Sequence, residues 1–248
     1  MNKAIFPLVL SFLLIFIVIS VATVKPKPII TVPPIQVKKI IDPVITASSS
    51  IIVLHRGNES RVLYQKDAER EAPIASITKL FTAYVSTTTE LFKPMLIESN
   101  NAAATKIGGS TSTIQRMNTF AKQIGLKKTV FFNPTGLDTP GPNLSTAADV
   151  AKAVYTMYTT EHGRDIFYIS TMFTPKATNK ALVDPRIPFK IVGGKTGDTD
   201  LAGQTLTLIT SGPQNSHLVF VVLGSKDRFE DMVVLTNWAY NALYEKGN

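Results

Sequence analysis

Ser76 and Lys79 stand three residues apart in the stretch APIASITKLFTAYV, at the mouth of an apolar run that reads as a helix. Three residues along a helix share a face, so a hydroxyl and an amine can meet there. A serine hydroxyl is inert at neutral pH and attacks a carbonyl only when a neighbouring base takes its proton. A lysine serves as that base only if burial or a nearby cation lowers its pKa. Taken alone the pair has a simpler reading, with Ser76 a helix N-cap and Lys79 a solvated first-turn residue.

Two further groups change the balance. Ser99 and Asn101 sit in ESNNAAA, and Lys195-Thr196-Gly197-Asp198 sit in IVGGKTGDTD. The order S-x-x-K, S-x-N, K-T-G is a recurring set in acyl-transferring serine enzymes. A K-T-G triplet arises by chance only about once in several thousand residues of average composition, so the ordered set carries the weight that no single member does.

Around these motifs the chain resembles the D-alanyl-D-alanine carboxypeptidases of the low-molecular-weight penicillin-binding proteins. APIASITKLFTA, MLIESNNAAA, MNTFAKQIGLKKTVFFNPTGL, LSTAADVAKA and IVGGKTGDTDLAGQTL are each similar to segments of that family, and the likeness runs through most of residues 50–246. The resemblance implies a serine-type hydrolase that removes the terminal D-alanine from peptidoglycan stem peptides through an acyl-enzyme on Ser76, with β-lactams as covalent inhibitors. It gives Lys79 the role of base, with Lys195 as a neighbouring cation, and Ser99 that of proton relay to the leaving amine. Asn101 would hold the substrate's backbone amide, and Lys195 and Thr196 its terminal carboxylate. The backbone N–H groups of Ser76 and Asp198 would form the oxyanion hole, and Gly197 and Asp198 would count with the substrate-binding residues.

The elements that must bring these residues together follow from pattern. Residues 50–65 give two β-rich runs split by Arg56-Gly57-Asn58-Glu59, which reads as a hairpin. The helix at Ser76 stops at a threonine cluster, where Thr87 and Glu90 fit a capping box for a second helix running to about Glu98. About ten residues out and ten back would return Ser99–Asn101 to the level of Ser76. Residues 111–160 read as mostly helical, with Thr146 and Asp149 capping one helix. FKIVGGKTG, GQTLTLITS and HLVFVVLGS read as three strands, and a closing amphipathic helix follows from Arg228. Strands at both ends with helices between predict an α+β fold, an antiparallel sheet flanked by helices with a mostly helical subdomain.

The bulk of the sequence bounds the setting. The 248 residues suit one main domain at 48–248 plus a front section. Residues Ala4–Val24 carry no charge over 21 positions, long enough for a transmembrane anchor, and Ser20-Val21-Ala22 has the small-x-small look of a cleavable signal. Segment 1–24 is therefore expected to be an uncleaved anchor, with a cleaved, secreted form the alternative, and the outer, extracytoplasmic placement of the domain follows mainly from the peptidoglycan substrate that the resemblance implies. Residues 25–47, rich in Pro, Val and Ile, read as an extended tether. With no cysteine there is no disulfide or thiolate chemistry, and His55, His162 and His217 have no paired spacing for a metal or a Ser-His-Asp triad. No cofactor is expected. The net charge of +8 lacks the basic and aromatic clustering of a nucleic-acid groove and suits an anionic cell envelope.

Three features depart from the family pattern. Only 19 residues separate Lys79 from Ser99, a segment usually longer and expected to wall the site. Asp198 puts a carboxylate beside the expected oxyanion hole, which costs energy unless it turns away or meets a cation. The chain also ends at its closing helix, without the C-terminal β domain of many members. Two alternatives follow: a tethered, catalytically weak wall-peptide-binding protein, and a serine β-lactamase, against which stands the lack of an E-x-x-L-N-like stretch between Asn101 and Lys195.

Overall fold

The structure is a computed structural model that describes residues 33–244. The apolar run at 4–24 and the first part of segment 25–47 lie outside the described residues. Among the described residues no helix is long and apolar enough to cross a membrane.

Strands β1 (Ser49–Arg56) and β2 (Glu59–Lys66) form the expected hairpin, with Gly57 at a φ of +58° in the two-residue turn. A two-residue ladder, β3 (Ala72–Pro73) with β4 (Leu144–Ser145), stands apart. Strands β5 (Ile191–Thr199), β6 (Gly203–Ser211) and β7 (His217–Ser225) complete a five-stranded sheet in the order β2-β1-β7-β6-β5, antiparallel throughout. The amino-terminal hairpin thus joins the carboxy-terminal strands, and β5 is left as an edge.

Alternation along the strands divides the core in two. Ile51, Val53, Val219, Val221 and Leu223 face one cluster, while Ile52, Leu54, Leu218, Phe220 and Val222 face the other. Because both faces of β7 are covered, its sequence reads as an unbroken apolar run. The first cluster receives α1 (Thr78–Tyr84), α2 (Phe92–Ile97), α4 (Thr111–Gln123), α5 (Ala147–Tyr158) and α6 (Glu161–Ser170); α3 (Asn101–Gly108) packs on α1 and α2. The second lies under α7 (Arg228–Tyr244), which closes the opposite face. The α+β architecture is the one expected, with helices 78–170 inserted between the two halves of the sheet.

Two local expectations need correction. The capping box at Thr87 and Glu90 does not form. Residues 86–90 make an exposed turn in which Ser86 Oγ and Thr88 Oγ1 accept from the backbone, and α2 begins only at Phe92, without a side-chain cap. Buried Phe92, Met95 and Leu96 set that helix rather than its local capping chemistry. The second correction concerns segment 25–47, whose residues 35–47 belong to the domain. Trp238 donates its indole N–H to the Ile41 carbonyl at 2.8 Å, and the Lys38 amide donates to the Ala242 carbonyl at 2.9 Å. Asp231, in the first turn of α7, accepts from the Thr46 and Ala47 amides, each at 2.8 Å. Ile35, Ile45 and Ala47 fill the second core cluster. Apolar residues without a period read as a linker, yet here they are the strap that covers one edge of α7's packing.

Candidate active site

The turn that carries Ser76 is built under strain. Ser76 lies in a 3-10 turn, Ala75–Ile77, that feeds α1, and Ala75 holds a φ of +46°. A non-glycine residue there costs about 1 kcal/mol or more and persists only where its surroundings insist. The insistence comes from Gly136, where an added Cβ would lie 2.9 Å from the Ser76 amide and still closer to the Ala75 carbonyl. That loop is tied by Asn133, whose Oδ1 accepts from the Thr135 amide at 3.1 Å and the Gly136 amide at 2.7 Å. Neither Ser76 nor any other side chain caps this turn or α1, so the N-cap reading of Ser76 does not hold.

Lys79 is fully buried, and its Nζ meets three oxygens: Ser76 Oγ at 2.8 Å, Asn101 Oδ1 at 2.8 Å and the Thr135 carbonyl at 2.6 Å. Burial lowers its pKa from the ordinary 10.5 to about 7. Nζ donates to all three oxygens, and on losing a proton it can keep the bonds to Asn101 and Thr135 and turn its lone pair to the Ser76 hydroxyl. The solvated-lysine reading is thereby excluded.

Ser99 and Asn101 arrive by the return of the helical hairpin, but the cap of α3 is Asn100, whose Oδ1 accepts from the Ala103 amide at 2.9 Å. That division of labour leaves the flanking two side chains to the cleft. Ser99 takes a φ of +58°, the second strained residue of the site, and its Oγ accepts from Lys195 Nζ at 3.0 Å. Lys195, on β5 and almost wholly buried, also donates to the Thr196 carbonyl at 2.8 Å. Its pKa is held well below the ordinary lysine value by burial, then by Lys79 and Arg228.

Edge strand β5 is pressed against the turn that carries Ser76. At Gly197 an added Cβ would lie 2.7 Å from the Ser76 amide nitrogen, so only glycine lets the two backbones approach. Thr196 Oγ1 is 2.8 Å from Thr178 Oγ1. The resulting cleft, of about 220 Å³, is lined by Ser76, Ser99, Asn101 and Thr196–Asp198. All eight residues picked out in the sequence thus converge.

The cost expected at Asp198 is met by a cation. Arg228, at the start of α7, donates to Asp198 Oδ2 at 3.2 Å and to the Gly197 carbonyl at 2.6 Å. Sequence reasoning missed Arg228, Thr178 and the Thr135 carbonyl. The last lies in the quoted stretch FFNPTGL, but a backbone acceptor leaves no residue-type signal. The short segment between Lys79 and Ser99 is taken up at the turn 86–91, at the far end of α1 from Ser76, so the motif contacts are unaffected by it.

The histidines lie elsewhere. His55 and His217 are ladder partners on β1 and β7, at the end of the sheet away from Thr199, so they are paired in space although isolated in sequence. His55 is buried and stacks on Tyr155 with ring centroids 3.7 Å apart. No group of three or more potential metal-binding side chains occurs among the described residues.

The architecture is that of a penicillin-binding protein. It matches penicillin-binding protein D2 from Listeria monocytogenes, in its cefotaxime-bound form, with a TM-score of 0.69 at 22% identity, over 81% of this chain and 100% of that one. At the level of sequence, the family described as D-alanyl-D-alanine carboxypeptidase matches residues 36–89 and 86–227, and the chain belongs to that family. The two matched stretches meet at residues 86–89, in the shortened turn. A D-alanyl-D-alanine endopeptidase of Escherichia coli strain K12 is 30% identical over 79% of this chain and 78% of its own length. D-alanyl-D-alanine carboxypeptidase DacC of the same organism is 33% identical over 61% of this chain and 40% of its own.

Proposed function

We propose that the protein is a serine-type D-Ala-D-Ala carboxypeptidase acting on peptidoglycan stem peptides. The observation that carries this is the buried Lys79 amine, lowered to about 7, 2.8 Å from Ser76 Oγ and held by two fixed acceptors. Ser76 Oγ attacks the carbonyl of the penultimate D-alanine, and its proton passes to Lys79. The oxyanion meets the backbone N–H groups of Ser76 and Asp198. The C–N bond then breaks as the proton held on Lys79 passes by way of the Ser99 hydroxyl to the leaving amine, and D-alanine departs with its carboxylate released from Lys195 and Thr196. Water attacks the ester on Ser76, Lys79 takes the proton from water and returns it to Ser76 Oγ as the ester bond breaks, and the shortened peptide leaves with a new terminal carboxylate. β-Lactams would acylate Ser76 by the same first step and stall at the ester.

Family membership and the cleft support this assignment over a tethered binding protein, since such a protein has no use for a desolvated lysine beside its serine. A second reading, cleavage of D-alanyl cross-links, is favoured by the endopeptidase relative that spans most of the chain. We place the domain on the outer face of the membrane, because its substrate is there and residues 4–24 suit an anchor. The test is D-alanine release from diacyl-Lys-D-Ala-D-Ala, with Ser76→Ala as control, alongside a cross-linked muropeptide dimer. Release abolished in the variant supports the carboxypeptidase; cleavage of the dimer alone moves the assignment to the endopeptidase; neither reaction refutes both.

A further inference from the structure

Asp198 is used above only through its backbone, yet its carboxylate lines the cleft with 56% of its side chain exposed. Oδ2 is engaged by Arg228 at 3.2 Å, and Oδ1 has no protein partner among the described residues. Arg228 is itself only 14% exposed and anchored on the Gly197 carbonyl, so the cation that meets the carboxylate has a defined place. A carboxylate is an odd neighbour for a site that must bind an anion, and that oddity calls for a use.

From this geometry we infer that Asp198 is a specificity residue, and that its free oxygen receives a side-chain ammonium on the third residue from the peptide's carboxyl end. The inference rests on the peptidase reading above. A peptide whose terminal carboxylate sits at Thr196 and whose scissile carbonyl lies at Ser76, beside Gly197, advances along β5 by about 3.3 Å per residue. The residue preceding the two D-alanines then stands level with Asp198. A diamino acid at that place carries its second amine within reach of Oδ1, whereas an acylated amine offers no charge. The favoured substrate class is therefore the stem peptide whose diamino acid keeps a free amine, as it does before cross-linking.

The test compares Nα-acetyl-Lys-D-Ala-D-Ala with its Nα,Nε-diacetyl counterpart. An exposed charge pair predicts a kcat/KM ratio of about two- to fivefold in favour of the free amine, shrinking as salt is added. Asp198→Asn should bring the ratio to about one and Asp198→Glu should retain it. Taking a ratio cancels any general loss of rate in either variant. An equal rate for both peptides in the unaltered protein, or a preference that survives in Asp198→Asn, overturns the inference. If neither peptide is turned over, the carboxypeptidase assignment fails by itself. The same two peptides titrated by NMR into Ser76→Ala then decide the subsite, since equal Kd values overturn it and a preference removed by adding Asp198→Asn supports it.

Discussion

The pH dependence of Ser76 acylation is the most direct reading of the Lys79 environment. With a pKa of about 7, half of the Lys79 amines are neutral at pH 7. An ordinary lysine at 10.5 is neutral there in only about one molecule in 3,000, so burial multiplies the competent fraction roughly 1,500-fold. The sign follows from which form is active. Protons compete with the reaction below pH 7, and at pH 5 only about 1% of the base remains. The second-order rate constant for acylation by a fluorescent penicillin, measured from pH 5 to 9.5, should rise about tenfold per pH unit and level off near pH 7–7.5. Lys79→Arg, which stays cationic throughout this range, should abolish labelling, with thermal denaturation reporting whether the buried site tolerates the larger side chain. A rate that keeps climbing tenfold per unit to pH 9 would show an ordinary lysine and refute the desolvation argument. A flat profile would show that Lys79 is not the base.

Gly197→Ala drives a methyl to 2.7 Å from the Ser76 amide and 2.8 Å from the Ala75 Cβ, so acylation should fall roughly a hundredfold. Thermal denaturation will show whether the fold survives, and unchanged labelling would argue against the close approach of β5 to the nucleophile turn. Asp231→Ala strips the partner from the buried Ala47 amide and the Thr46 amide, and should cost about 3 kcal/mol in urea unfolding; a loss under about 0.5 kcal/mol would mean that residues 35–47 are not held as described. Burial and then the facing His217 lower the His55 pKa from 6.5 to about 4, so the folded chain refuses a proton that the unfolded chain accepts between those values. Stability should therefore fall by about 1–3 kcal/mol as pH drops from 7 to 4 on account of this residue, and His55→Gln should flatten that slope. Identical urea midpoint shifts in both proteins would count against it.

Much of this was legible in one dimension. The order of Ser76, Lys79, Ser99, Asn101 and Lys195–Gly197 pointed to the groups that converge on the cleft, because the proposed chemistry needs those side-chain types. The periods of residues 191–225 and 111–158 specified strands and helices, because each strand or helix must bury one or both faces. Local signals failed where packing outvoted them: α2 starts at Phe92 since its apolar residues reach the core, whatever the capping chemistry at Thr87 offers. The strap at 35–47 was illegible because its partners, Asp231 and Trp238, lie almost 200 residues away. The sequence by itself thus determined which groups were to be sought in one cleft and which elements carry them. Tertiary structure alone decided that Lys79 is buried, that the backbone carbonyl of Thr135 and the amide oxygen of Asn101 hold its Nζ beside Ser76 Oγ, and that Arg228 meets the carboxylate of Asp198. Those are properties of distance and desolvation, and both arise only when segments remote in the chain exclude water from the space between them.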